Sequence, residues 1–485
     1  MSDKSITDLA SITFVGGALG RLLQYGVYIA IARGLGAEAL GVFSIGYVIL
    51  NIASVVSRLG LDNAARKFIP VYRESGDQER LVGVVISSLG GAFVVGSIIS
   101  LLIFVFLGTI RSTFGVSIPD EATFFLFGVP LLAVLSVGMA ASRGFFNTTY
   151  AVYAKDIVQS GSAIILVGIA AFVLESIEFV VIGYSLSLLF GAIVISYYLL
   201  KLSGLSFSMK PKFELKKITV YSLPLMLSAV ANYLVTWTDI LMLGALLSNN
   251  AKIGQYQAAF QTTAMLGFIL YSVNSVFPSI ASGLYHNGDR KRLTNIYKST
   301  TKWTGGFTIL GSLYLVTYSS QVMSIFGNEF DGVKPMIAVL CVGYIANAVA
   351  GPAGYLLSMS QYERVESANT IVTALSNIVL NYILISQYGI IGAAVATGTS
   401  LVLLNTLRVS QASYLLGIRP GFSSIIKIVP GIMVSGIIFV SIKFIYPSSL
   451  IAALGAGVVG SLAFISVVYL FLFSERDQLL FESLS

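Results

Sequence analysis

Thr13, Gly17, Arg21, Gln24 and Tyr28 follow one another at steps of four, four, three and four residues. That spacing lines one face of a helix. Ser44, Tyr47, Asn51, Ser54 and Arg58 repeat the pattern at three, four, three and four, and Ser228, Asn232, Thr236 and Asp239 run at four, four and three beside Trp237. The chemistry open to these groups is ionic and hydrogen-bonding. A guanidinium is a planar fork of donors that grips an oxyanion at two points, and the same fork serves a structural ion pair or a clamp on backbone carbonyls. A carboxylate in a low-dielectric site binds a proton or a cation, or pairs with a guanidinium. Amides exchange hydrogen bonds with sugar hydroxyls, and equally with a neighbouring helix. Gln257 and Gln261 share one face, as do Asn369, Thr373, Asn377 and Asn381.

The elements that carry these stripes are apolar. Of 485 residues, 56% are hydrophobic and only 11% charged, against about 25% charged in soluble domains. Mean hydropathy is +0.87. A soluble multidomain chain and a disordered one are both excluded. One cysteine, Cys341, forms no intramolecular disulfide, and one histidine, His286, argues against a His/Cys metal centre, so no cofactor or metal is expected. The apolar runs lack the period of two that an outer-membrane barrel requires. What remains is an all-α polytopic membrane protein. A crossing takes about 20 apolar residues, which predicts about fourteen spans, at 12–32, 42–60, 82–107, 122–142, 157–174, 179–200, 219–245, 254–283, 303–320, 335–358, 367–386, 390–407, 424–445 and 449–473. The first is too long for a signal-peptide core and lacks a basic flank, so it is read as retained.

With the N-terminus inside, 22 of the 29 Lys and Arg fall on the inner side and five outside, with Arg21 and Arg58 within spans. The positive-inside rule then puts both termini in the cytoplasm of a cell-membrane protein. The net charge of +7 follows from that asymmetry. Scattered over many short loops, it does not indicate nucleic-acid binding. Gly76-Asp77-Gln78-Glu79-Arg80-Leu81 resembles Gly288-Asp289-Arg290-Lys291-Arg292-Leu293 at an offset of 212, Gly41 matches Gly254 at 213, and Tyr153 and Gly183 match Tyr362 and Gly392 at 209. Matches in order at nearly one offset point to two parallel six-helix repeats plus a terminal pair: an N-lobe over 1–207, a C-lobe over 208–413 and a helix pair over 414–485. The link at 201–217, with Pro211 and five lysines, reads as a membrane-surface linker.

Charge within a span costs about 2.5–3.5 kcal/mol at the helix centre, so it faces a cavity or a partner. Arg21 lies near mid-span. Arg58 lies near an inner end, where snorkelling competes with a binding role. Asp239 is open to three readings: a proton or cation site, a counter-ion for Arg21, or an interfacial residue. No Gly-x-x-x-x-Gly-Lys-Ser/Thr loop occurs, which excludes nucleotide hydrolysis through a P-loop. Gly455-Ala456-Gly457-Val458-Val459-Gly460 fits a dinucleotide pattern by letter but sits within an apolar span, where it reads as close helix packing. No short outer loop presents an acid–base or nucleophile set, so an enzyme is not expected.

Arg33-Gly34-Leu35-Gly36-Ala37-Glu38-Ala39-Leu40-Gly41-Val42-Phe43-Ser44 resembles the Leu-Gly-x-x-x-x-Gly-x-Tyr/Phe signature of Wzx-type polysaccharide-unit flippases of the multidrug/oligosaccharidyl-lipid/polysaccharide exporter superfamily. Leu61-Asp62-Asn63-Ala64-Ala65-Arg66-Lys67-Phe68-Ile69-Pro70 fits the same group. The resemblance, in length and six-plus-six-plus-two layout, spans the chain. It implies a central cavity between two bundles, alternating access, and a lipid-linked oligosaccharide carried on an isoprenoid diphosphate. It also implies cavity arginines in the first two helices, for which Arg21 and Arg58 are the counterparts. On this reading Arg21, Gln24, Tyr28, Asn51 and Arg58 bind the substrate, Asn232, Gln257, Gln261 and Asn377 line the cavity, and Asp239 is the site for a coupling H+ or Na+. Membrane lipids are the other partners, and the last helix pair flanks the lipid tail. The alternatives are a cation-coupled drug exporter of the same fold, in which Asp239 binds the ion and Arg21 is structural, and a membrane enzyme of glycan assembly.

Overall fold

Long apolar runs fold as helices because a bilayer offers the backbone N–H and C=O groups no other partners. The computed structural model describes residues 3–114, 118–204, 210–247, 249–274 and 276–471. Among the described residues every regular element is helical. Contacts divide the chain into two compact units, Met1–Gly254 and Gln255–Ser485.

The first unit contains α1 (Asp3–Ser57), α2 (Leu61–Glu74), α3 (Gln78–Val105), α4 (Leu107–Phe114), α5 (Gly128–Gly144), α6 (Thr149–Val152), α7 (Ser160–Phe172), α8 (Ile177–Leu202) and α9 (Leu215–Leu246). A π-helical segment, Tyr153–Gln159, joins α6 to α7. Helix α10 (Asn250–Ala264) runs across the unit boundary. The second unit continues with α11 (Phe268–Asn274), α12 (Phe277–His286), α13 (Arg290–Thr317), α14 (Ser319–Met323), α15 (Lys334–Ala350), α16 (Ala353–Ser358), α17 (Glu363–Tyr388), α18 (Ile390–Gln411), α19 (Phe422–Ile445) and α20 (Leu450–Phe471).

Among the described residues, nine stretches are long and apolar enough to cross a membrane. Two of them, Val15–Ser57 and Glu363–Leu416, hold 43 and 54 residues, about twice what one crossing needs. The protein is a polytopic helical membrane protein. The loop expected over 33–41 is instead a corner of one residue. Gly36 has φ 87° and ψ −178°, a conformation that a Cβ disfavours, and helix continues on both sides. The span expected over 254–283 is broken into α10, a 3-10 turn at Met265–Gly267, α11 and α12.

The first unit packs α1 against α7, α5 and α9, with α5 also against α8. In the second unit α18 packs on α15 and α17, and α13 packs on α15 and α19. Within the glycine run in α20, Gly457 and Gly460 are packing positions, whereas Gly455 has nothing within 4 Å of its Cβ position. A Cβ on Gly460 would lie 2.2 Å from Phe439 Cε1, and Ser435 Oγ of α19 donates to the Gly460 carbonyl at 2.7 Å.

The repeated Gly-Asp segments fold alike. Asp77 caps the 28-residue α3 by accepting from Arg80 N at 3.1 Å. Asp289 caps the 28-residue α13 by accepting from Arg292 N at 3.0 Å. Gly41 and Gly254 meet at one crossing. A Cβ on Gly41 would lie 1.9 Å from the Asn250 carbonyl oxygen, and one on Gly254 would lie 1.9 Å from that of Ala37.

Candidate functional site

Glycines bring a carboxylate to Arg21. A Cβ on Gly16 would lie 2.2 Å from Val152 Cγ1, and one on Gly20 would lie 2.5 Å from Asp156 Oδ1 and 2.9 Å from Asp156 Cα. With no Cβ at either position, α1 closes on α6 and the π-helical segment. Asp156 then sits beside the residue preceding Arg21, and Lys155, Arg21 and Arg143 are the positive charges acting on it. Arg21 is exposed and Gln24 half-buried, while Tyr28 is 2% exposed. The stripe thus runs from an open end to a closed one. Gly17, on the same face as Arg21, has nothing within 4 Å of its Cβ position.

At the closed end lies an aromatic cluster. Tyr28 meets Phe43 edge-on at 6.0 Å, Phe43 meets Tyr184 at 5.4 Å, and Tyr47 meets Trp237 at 5.6 Å. The Tyr184 hydroxyl adjoins Tyr47 and Gln24. The polar residues of the second stripe turn partly onto their own helix. Ser44 Oγ donates to the Leu40 carbonyl at 2.6 Å, and Asn51 Nδ2 to that of Tyr47 at 2.7 Å. Arg58 is half-buried and paired: Nη1 lies 3.8 Å from Asp62 Oδ2, Nε donates to the Ser54 carbonyl at 3.3 Å, and the guanidinium lies 5.6 Å from the Tyr233 ring centroid.

Asp239 is 9% exposed on α9, between buried Thr238 and Ile240. The side chains of Ser228, Asn232 and Thr236, and that of Thr13, lie outside the described residues. In the second unit Gln257 is 1% exposed, with neither amide atom hydrogen-bonded, and Gln261 is half-buried. Asn377 Nδ2 donates to Ser400 Oγ at 3.2 Å, and its Oδ1 accepts from Asn381 Nδ2 at 3.0 Å, so its amide ties α17 to α18. Asn369 and Gln411 exchange hydrogen bonds across the same pair of helices.

Sequence reasoning missed three charged groups. Asp156 falls in the loop expected before the fifth span. Lys302, placed on the inner side just before the span expected at 303–320, is 4% exposed on α13 and lies 5.3 Å from the Trp303 ring centroid. Glu366 accepts from Arg408 Nε at 2.9 and 3.1 Å. Among the described residues no three His, Cys, Asp or Glu groups come close enough to hold a metal ion.

Residues 7–284 match the family model described as polysaccharide biosynthesis protein, and residues 224–383 match the MatE model. The probable low-salt glycan biosynthesis flippase Agl15 of Haloferax volcanii is 25% identical over 419 residues, covering 85% of this chain and 84% of its own length. Stage V sporulation protein B of Bacillus subtilis is 22% identical over 457 residues, covering 84% and 83%. Among solved structures, the lipid II flippase MurJ in an inward closed conformation is similar, with TM-score 0.71 and 17% identity over 95% of this chain and 98% of that one. An inward-facing multidrug resistance MATE family transporter gives TM-score 0.67 at 15% identity, over 82% and 94%. These likenesses establish the fold.

Proposed function

Because this chain belongs to the polysaccharide biosynthesis protein family, we propose that it is a flippase, moving an isoprenoid-diphosphate-linked oligosaccharide from the cytoplasmic to the outer leaflet by alternating access. The observation that carries the reading is the exposed guanidinium of Arg21 within a membrane-crossing helix, above Gln24 and Tyr28 on the same face. A charge there is costly unless it meets a counter-charge or water. A diphosphate is such a counter-charge, and the fork geometry suits it. Asp156 neutralises Arg21 while cargo is absent and lets it turn to the diphosphate when cargo arrives. Gln24, Tyr28 and Asn51 supply hydrogen bonds to the head group. Arg58 is the second cationic candidate, and its charge is met by Asp62. Gln257 and Gln261 offer amides to the glycan. The protein acts as a carrier, with both termini cytoplasmic.

Proteoliposomes holding a fluorescent polyprenyl-diphosphate saccharide, with an impermeant quencher outside, test the reading. Arg21→Ala should abolish flipping while leaving folded protein in the membrane, and Arg21→Lys should keep part of the rate because Lys lacks the fork. Full flipping by well-folded Arg21→Ala would sink the diphosphate role. A second reading, a cation-coupled exporter of the same fold, draws on the buried carboxylate of Asp239 and the MatE match over 224–383. It predicts binding of organic cations in place of lipid-diphosphate saccharide by the purified protein.

A further inference from the structure

Away from Arg21, α2 and the beginning of α9 enclose an open pocket of about 750 Å³, lined chiefly by Lys67, Phe68, Glu214, Lys216, Lys217 and Tyr221. Its charges divide into two groups. Glu214 accepts hydrogen bonds from the Tyr72 hydroxyl and, at 3.2 Å, from Lys217 Nζ, and Arg80 Nε lies 3.3 Å from its other oxygen. Glu214 and Lys217 are therefore spent on each other and on their neighbours. Lys67 and Lys216 remain. Both are exposed, and among the described residues neither has an acid within ion-pair distance. Lys67 Nζ stands 3.9 Å from the Tyr221 ring centroid, which holds the ammonium over the pocket.

The pocket has an apolar rim as well. Phe213, Leu215 and Val220 are 54%, 58% and 69% exposed. Apolar side chains left open beside unneutralised lysines suit the depth where acyl chains meet head groups. A soluble anion has use for the lysines and none for that rim. A zwitterionic head group supplies its own cation and has less use for the lysines.

We propose that this pocket binds the phosphoryl head group of an anionic membrane lipid, with Lys67 and Lys216 on the phosphate and Phe213, Leu215 and Val220 against the first part of the acyl chain. The site is separate from the Arg21 stripe. It requires only that this face border a bilayer, so it does not depend on the flippase reading. The phosphate can belong to a resident phospholipid or to a polyprenyl diphosphate.

A photocrosslinking amino acid in place of Val220 tests this in the full-length chain. The protein is reconstituted in phosphatidylcholine vesicles, alone or doped with phosphatidic acid or with a polyprenyl diphosphate, and the adducts are identified by mass spectrometry. The doped lipid should be captured well above its share of the bilayer, and the combination Lys67→Gln with Lys216→Gln should cut the excess about tenfold. Lys210→Gln, an exposed lysine outside the pocket, should leave it unchanged, and a matching thermal midpoint checks that the double variant is folded. Excess capture of both doped lipids means a site for lipid phosphate in general, and excess capture of the polyprenyl diphosphate alone means a docking station for that lipid class. Capture in proportion to bulk composition, unchanged capture in the folded double variant, or complete displacement by sodium pyrophosphate at equal concentration would overturn the proposal.

Discussion

Asp156 lies against the turn that carries Arg21 because glycines set the distance between the two helices. Gly16 and Gly20 leave no Cβ in the contact, so Asp156 packs directly on that turn. A side chain at position 20 would have to displace backbone atoms of the π-helical segment, so Gly20→Ala should cost about 1–3 kcal/mol and lower the thermal midpoint in detergent. If Asp156 holds Arg21 between transport events, Asp156→Asn and Arg21→Ala should be strongly non-additive in the stability of the purified protein, with a coupling of about 0.5–3 kcal/mol in a double-mutant cycle. Additive losses would separate the two residues. Asp239 calls for a different assay. Asp239→Asn keeps size and polarity and cannot titrate, so under an imposed proton or sodium gradient it should flip cargo at the ungraded rate while cargo binding survives. Stimulation equal to wild type would exclude ion coupling at this residue. That Arg21, Gln24 and Tyr28 share one helix was legible from spacing alone. Asp156 was not, because Lys155 and Asp156 interrupt the apolar run and so end a predicted span, although the chain stays helical from Thr149 onward. Hydropathy reports where a helix is greasy, and here the helix starts before that point.

At the scale of elements, α2 is the clearest gain over the sequence. Leu61, Ala64, Ala65, Phe68, Ile69 and Tyr72 form its buried face, a 3.6-residue period within a segment otherwise read as a loop. The period is present in the sequence, but the charged residues lower the mean hydropathy of the segment below that of a membrane span. Gly60 starts the helix at φ 74°, and a Cβ there would lie 2.2 Å from the Ser222 carbonyl oxygen, so this corner fixes α2 on α9. The tie at the other end of α2 is electrostatic. The Tyr72 bond, helped by Lys217, holds the Glu214 carboxyl below its usual range, while Tyr72 and then Glu214 hold the Lys217 ammonium above its own. A lowered carboxyl stabilises above its unfolded pKa and loses that contribution as pH falls through the folded value. A raised ammonium stabilises below its unfolded pKa and loses it as pH rises through the folded value. The tie is therefore whole at neutral pH and should loosen below about pH 4 and above about pH 10.5. A spin label replacing exposed Leu215 should gain mobility in both windows, and Tyr72→Phe should raise its mobility at neutral pH. Asp77→Ala removes the cap of α3 and should cost about 0.5–2 kcal/mol, read as a lower thermal midpoint.

For the whole molecule, the helical membrane class and most spans were legible because bilayer thickness fixes an apolar length. The breaks within 254–283 were not, since a run of apolar residues looks the same whether its helix is continuous or interrupted. Orientation rests on the distribution of Lys and Arg and is directly testable. Single cysteines in the 60–81, 201–217 and 284–302 segments, in a Cys341→Ser background, should resist impermeant thiol reagents in intact cells. Labelling of any two from outside would reverse the topology. The crossing of Gly41 with Gly254 has a symmetry of its own. The residues they touch, Asn250 and Ala37, are themselves separated by the same 213 positions, so the contact is reciprocal. In a pair of identical chains it would be an isologous patch, where one codon serves both sides and each mutation is felt twice. Within one chain the two sides mutate independently yet still share a single gap. Gly41→Ala or Gly254→Ala alone already forces the backbones apart, and the second change arrives at a gap opened by the first. The double variant should therefore melt close to the weaker single one, the non-additivity expected of two positions that share one gap.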